Sequence, residues 1–194
     1  LSPIDYSGEG PTDGLLAVRL IEAVGAEPGK DYSAGRRAHG KAALDASIPG
    51  LMAAARFGGR VLVLRDLDHD AACAGALVSR LAAARPQAFC LRIAVRSAEA
   101  WLLADRRAIA PALNVRVNLI PSDPEALGDP KARLRQIGGA AGNREARRLL
   151  GGSWQQAHGW IADFIRDDWQ PRRAAAHSPS LTRALARLEV LAKP

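Results

Sequence analysis

Val61, Leu62, Val63 and Leu64 are four consecutive apolar residues, and Arg65 and Asp66 follow at once. A strand with one wet face alternates apolar and polar residues. An unbroken apolar run buries both faces, which is how a strand inside a helix-covered parallel sheet reads. The stretch "RVLVLRD" therefore constrains this fold more than any other, because a parallel neighbour requires a crossover connection. "AFCLRIAV" (88–95) is a second run of this kind. Between them, "DAACAGALVSRLAAARP" reads as a helix ending at Pro86, and another helix opens at Ser97 in "SAEAWLLADRRAIAPAL". Strand–helix–strand–helix argues for an α/β layer fold with right-handed crossovers.

The flanking segments extend that pattern. "PIDYSG" is a short and poor strand, with Pro3 at its start. "TDGLLAVRLIEAVG" carries a broad apolar face from Leu15 to Val24 and a helix stop at Gly25. "EPGKDYSAGRRAHGK" reads as a loop with a brief strand near Tyr32, and "AALDASIPGLMAAARFG" as a helix interrupted near Pro49 and Gly50. From residue 122 the β signal fades. Asp129–Pro130 and Ser178–Pro179 read as a cap followed by Pro in the first turn. The expected organisation is a mostly parallel α/β domain over 1–121, with a helical extension over 122–194 packed on it.

The 194-residue length suits one such domain with an extension. No apolar run approaches the roughly 20 residues of a membrane span. The N-terminus lacks the basic start and apolar stretch of a signal peptide, and the first residue is Leu1, not Met. Two cysteines, Cys73 and Cys90, cannot make a disulfide framework and read as small apolar packing residues, so a cytoplasmic location is expected. The net charge is +7, unevenly spread. Residues 1–70 hold ten acids and eight bases, and residues 71–194 hold ten acids and nineteen bases. A basic remainder suits a phosphate-bearing partner such as nucleic acid, although the excess of Arg (23) over Lys (4) also fits a compositional bias.

Acids gather in two places. Asp66 and Asp68 follow the apolar strand, where parallel sheets hold their ligands. If the chain stays extended, both point to one side. Hard oxygen donors this close suit Mg²⁺ or Mn²⁺. Asp68 or Asp70 also suits the cap of the next helix. In "GEGPTD" (8–13), Glu9 follows the first strand between glycines and has no capping duty. Thr12 or Asp13 suits a helix cap, and Asp13 equally an outer metal ligand. Glu99 opens the helix after the second buried strand, either as a further acid on the same sheet edge or as a first-turn glutamate answering the helix dipole.

Other site patterns fail on chemistry. "GRRAHGKA" has the spacing of a phosphate-binding loop but carries Ala42 where Mg²⁺ needs a hydroxyl. Lys41 remains a candidate phosphate contact. A sugar-transferase reading of Asp-x-Asp leaves "EGPTD" without a role, and an aspartyl phosphatase would place its Asp pair after the first strand. His69 and Cys73 lack further zinc ligands, and no nucleophile elbow occurs.

A Glu in a Gly-flanked loop after the first strand, then an apolar strand ending in Asp-x-Asp, resembles the Toprim fold of topoisomerases, bacterial primases and OLD-type nucleases. "RIAVRSAEAWLLADRRAI", "DPKARL" and "SPSLTRAL" further resemble an uncharacterised bacterial Toprim-like family across nearly the whole chain. The resemblance implies a Rossmann-like, mostly parallel sheet and a divalent-metal-dependent phosphodiesterase or nuclease. It implies Glu9, Asp66 and Asp68 as the catalytic metal centre, and Asp13 and Glu99 as further ligands of Mg²⁺ or Mn²⁺. No lysine matches a catalytic base securely; Lys41 and Lys131 are the phosphate-binding candidates. The alternative is a non-catalytic Toprim-like partner or sensor working with an ATPase or another effector, for instance in phage defence.

Overall fold

The computed structural model describes residues 3–34 and 39–193. They form two compact units, one of the described residues up to 95 together with 183–193 and one of residues 96–182. The first is an α/β unit. Strands β1 (Ile4–Ser7), β2 (Pro28–Asp31), β3 (Arg60–Asp66) and β4 (Phe89–Ala94) form one all-parallel sheet in the order β2-β1-β3-β4. Helices α1 (Pro11–Ala23), α2 (Lys41–Arg56) and α3 (Ala74–Ala82) are the crossovers between successive strands. This is the Rossmann-like α/β class, and the rest of the chain is helical.

The apolar run works as its pattern demands. Val61, Leu62, Val63 and Leu64 are all buried. Val61 and Val63 join Phe89, Leu91 and Ile93 on one sheet face, under Leu44, Ile48, Leu51 and Ala55 of α2 and Leu77, Val78 and Ala82 of α3. With right-handed crossovers, the connection from β1 to β2 runs the other way along the sheet and puts α1 on the opposite face. There α1 buries Leu16, Ala17, Leu20 and Ile21. Each fully buried Leu or Val on these faces contributes roughly 1.5–3 kcal/mol.

Several elements differ from the sequence expectation, each for a local reason. β2 ends at Asp31, before Tyr32, and its pairing with β1 is irregular between Ile4 and Tyr6. Helix α2 runs through Pro49 without a break. Its buried Leu44, Ile48, Leu51 and Ala55 repeat at helical spacing on both sides of the proline, so tertiary packing offsets the lost backbone hydrogen bond. Cys73 is exposed, not packed, and is the N-cap of α3, its Sγ accepting from the Ala76 N–H. Cys90 is buried in β4 as expected. Helix α1 begins at Pro11, so Thr12 and Asp13 lie in its first turn and Gly10 is its N-cap.

The second unit is helical. α4 (Ala98–Ala104) and α5 (Arg106–Leu113) replace the single helix expected after Ser97. The break is Asp105, which is fully buried and accepts from the Gln170 N–H and from two guanidinium nitrogens of Arg173. α6 (Pro130–Gly139), α7 (Arg144–Leu150), α8 (Trp154–Asp167) and α9 (Pro171–Ala175) follow. Asp129 caps α6 and Ser153 caps α8. α10 (Pro179–Ala192) starts with Ser178 Oγ accepting from the Leu181 N–H, and its residues from Arg183 onward belong to the first unit. No helix among the described residues is long and apolar enough to cross a membrane.

Candidate functional site

Parallel pairing of β1 with β3 sets Ser7 opposite Val63, so the loops leaving the two strands emerge side by side. Glu9 is two residues past Ser7, level with the end of β3. Its carboxylate accepts from the Asp66 N–H at 3.0 Å and from a guanidinium nitrogen of Arg65 at 3.3 Å. The backbone carbonyl of Glu9 accepts from the Gly40 N–H at 2.8 Å, which ties in the start of α2. Three segments distant in sequence thus meet at the carboxyl end of the sheet.

The GEG loop is tightly closed. A Cβ at Gly8 would stand 2.2 Å from the Cβ of Asp13, a separation real atoms do not adopt. Asp13 accepts from the Gly10 N–H at 2.9 Å, which pins the loop to the first turn of α1.

The chain does not stay extended after β3, as the reading of Asp66 and Asp68 on one side assumed. Leu67 is buried, Asp68 takes a left-handed φ of 46°, and the Asp70 N–H donates back to the Leu67 carbonyl at 3.1 Å. Asp is one of the few non-glycine residues that tolerate this conformation. Strained backbone of this kind gathers at functional sites. Neither Asp68 nor Asp70 caps α3, because the turn keeps both near the sheet edge and Cys73 serves as the cap.

The buried cation among these acids is Arg65, a residue that the motif pattern does not single out. Its side chain is 1 % exposed. Its guanidinium makes a two-point contact with Asp45 (3.0 and 3.2 Å) and donates to Asp70 at 2.6 Å, to Glu9, and to the Asp66 carbonyl. Lys41, at the start of α2, donates to Asp68 at 3.2 Å and to both oxygens of Asp70 at 3.0 and 3.1 Å. Acids and cations therefore interleave. A charged residue inside an otherwise apolar strand was the available signal for Arg65. Asp45, beside the buried Leu44 on α2, is the matching partner.

The electrostatics differ from acid to acid. Burial pushes the Glu9 carboxyl above its ordinary value, with Asp68 and Asp45 adding to the rise, and the Asp66 N–H and Arg65 opposing it. Hydrogen bonds from Arg65 and then Lys41 hold Asp70 below the usual carboxylate range. The same bonds, from Asp70 and Asp68, raise the Lys41 ammonium. Arg65 is raised above its ordinary value, because its hydrogen bonds and the charges of Glu9 and Asp45 outweigh the cost of its burial.

The remaining expected residues lie in the second unit. Glu99 is buried in α4, and its carboxylate accepts from Ser97 Oγ at 2.6 Å. Lys131, in the first turn of α6, stands over the ring of Trp154 at 3.7 Å from its centroid, and the Trp154 ring meets His158 edge-on. Burial, then Lys131, lowers the His158 pKa, against the pull of Glu99. Of the residues between Gly35 and Lys41, positions 35–38 lie outside the described residues.

For a divalent ion, the donor chemistry of Glu9, Asp66 and Asp68 fits, since all three offer hard oxygens. The arrangement is cation-filled as it stands. Among the described residues no three His, Cys, Asp or Glu side chains converge to hold a metal. Lys41 instead links Asp68 with Asp70, and Arg65 links Glu9, Asp45 and Asp70. Compared with known proteins, the chain matches no family model, no curated protein and no solved structure.

Proposed function

We propose that the acids at the carboxyl ends of β1 and β3 form a Mg²⁺ or Mn²⁺ centre, and that the protein is a Toprim-like phosphodiesterase acting on nucleic acid. One observation carries the reading: the Glu9 carboxylate is drawn onto the Asp66 N–H, joining the two halves of the acidic motif in one place. Glu9, Asp66 and Asp68 would hold the ion, which would polarise the phosphodiester and acidify a water. Asp13 pins the Glu9 loop. Lys41 would exchange its carboxylate partners for a phosphate oxygen when a divalent charge takes over the acids. Arg65, locked on Asp45, fixes the loop after β3.

Cleavage of labelled single- and double-stranded DNA and RNA with Mg²⁺ or Mn²⁺ tests this. The expected result is metal-dependent cleavage by the wild type, with at least a hundredfold loss in Glu9→Gln and Asp66→Asn. No cleavage of any of the four, or full activity in both variants, removes the proposal.

A second reading rests on Arg65. Its guanidinium already neutralises Glu9, Asp45 and Asp70, as expected of a non-catalytic relative that keeps the fold and works with an ATPase or another effector. Metal-independent nucleic-acid or nucleotide binding without cleavage, with co-purification of such a partner, would favour it.

A further inference from the structure

The amino end of the same sheet carries the opposite charge. Arg60 opens β3, Gln87 and Ala88 lead into β4, and Arg187, Val190, Leu191 and Lys193 come from the end of α10 and just beyond. Together these residues line an open pocket of about 260 Å³. The guanidinium groups here are held by backbone rather than by acids. Arg60 donates to the Ala192 carbonyl at 3.3 Å, and Arg187 donates to the Gln87 carbonyl. Beside them, Arg92 donates to the Leu91 carbonyl at 2.8 Å and to the Arg183 carbonyl at 3.5 Å.

Among the described residues, Arg60, Arg85, Arg92, Arg183 and Arg187 make no ion pair. Burial, and after it the charges of Arg187, Arg85 and Arg183, lowers the Arg92 guanidinium, with Cys90 opposing. A carbonyl fixes the direction of a guanidinium without cancelling its charge, so the remaining N–H groups are oriented for an anion.

A second feature points to the kind of anion. Phe57 is 92 % exposed, the most exposed large apolar side chain among the described residues. It lies three residues before Arg60, within about 10 Å of chain. Val190, on the pocket wall, is also exposed. Bare aromatic surface beside oriented cations is how proteins take single strands, with bases stacked on the ring and phosphates in the basic groove. A duplex would hide its base faces and leave Phe57 without a contact.

We propose that this pocket and Phe57 form a binding site for single-stranded nucleic acid, separate from the acid cluster. β3 runs the length between the two ends, roughly 20 Å for its seven residues. The site stands whether or not the acid cluster cleaves.

Fluorescence anisotropy of a labelled 15-nucleotide single strand, measured in EDTA so that no cleavage intervenes, tests the proposal. The wild type is expected to bind the single strand at least tenfold more tightly than the matching duplex. Arg60→Gln with Arg187→Gln should weaken binding at least tenfold and flatten the log affinity against log salt slope by about 1.4. Arg60→Lys with Arg187→Lys, which keeps the charge, should stay within about threefold of wild type, and this controls for folding. Phe57→Ala should cost roughly tenfold on the single strand and leave competition by inorganic pyrophosphate unchanged. Equal binding of duplex and single strand, wild-type affinity in the Gln double variant, or an equal loss in the Lys double variant would overturn the proposal. So would Phe57→Ala binding the single strand like wild type.

Discussion

The two ends of the first unit's sheet handle charge in opposite ways. At the carboxyl end, Glu9, Asp45, Asp68 and Asp70 share two cations, Arg65 and Lys41, through contacts between 2.6 and 3.3 Å. At the amino end, Arg60 and Arg187 donate to carbonyl oxygens and, among the described residues, make no ion pair. A charge cancelled by another charge stabilises the fold, whereas a charge oriented by a carbonyl stays available to a partner. The comparison separates structural electrostatics from recognition. It makes loss of the buried cation at the first end act on stability, and loss of the guanidiniums at the second act on nucleic-acid binding with the fold kept.

The largest expected effect is at Arg65. Arg65→Leu leaves Glu9, Asp45 and Asp70 facing one another without their buried cation, and costs about 2–3 kcal/mol, below a fully dry pair because the carboxylates reach solvent. Arg187→Gln should stay within about 0.5 kcal/mol of wild type. Urea unfolding of both variants measures the contrast, and equal losses would break it. Next is Gly8→Ala. Its Cβ meets the Cβ of Asp13, not a flexible tip, so the start of α1 must move, at a cost of about 1–3 kcal/mol. Thermal melts of that variant beside Gly10→Ala, which meets nothing within 4 Å, separate crowding from loss of a glycine as such.

Acid should act at the first end through two carboxyls of opposite shift. Asp70 has a depressed folded pKa, so its contribution is complete above the unfolded value of about 3.9 and is lost as pH falls through its lower folded value. Glu9 has a raised folded pKa and takes up a proton earlier. Affinity for Mn²⁺ should therefore begin to fall above the ordinary glutamate value of about 4.3. Titrations at pH steps from 8 to 4.5 check this, and a profile that starts to fall only below that value would contradict it. Within the acid cluster the smallest effect on stability is Lys41→Ala. The lysine is nearly half exposed, so its loss costs less than about 1 kcal/mol. Removing this competing cation should nevertheless strengthen Mn²⁺ binding severalfold, and unchanged or weaker binding would place Lys41 outside the metal's reach.

Much of this was legible in the chain. Four consecutive apolar residues in "VLVLRD" required a strand buried on both faces, and β3 lies inside the sheet between β1 and β4. The loops after β1 and β3 were joined through the resemblance to the Toprim pattern, and the two strands are parallel neighbours that end together. Conformation inside those loops was not legible. The left-handed turn at Asp68 follows from no pattern of residue types, and it moved Asp70 from a presumed cap to a partner of Arg65. Arg65 itself was hidden by its setting, since a charge in an apolar strand needs a partner that only the packing of α2 supplies. Helix α2 running through Pro49 is the same lesson, with a tertiary contact overruling a local preference.

The central claim is that Glu9 and Asp66 help to hold one divalent cation. Isothermal titration of the purified protein with Mn²⁺ at pH 7.5 tests it most directly. The account predicts saturable binding, at least tenfold weaker in Glu9→Gln and in Asp66→Asn, with both variants folded by circular dichroism. No Mn²⁺ binding in the wild type, or wild-type affinity in both variants, would contradict it.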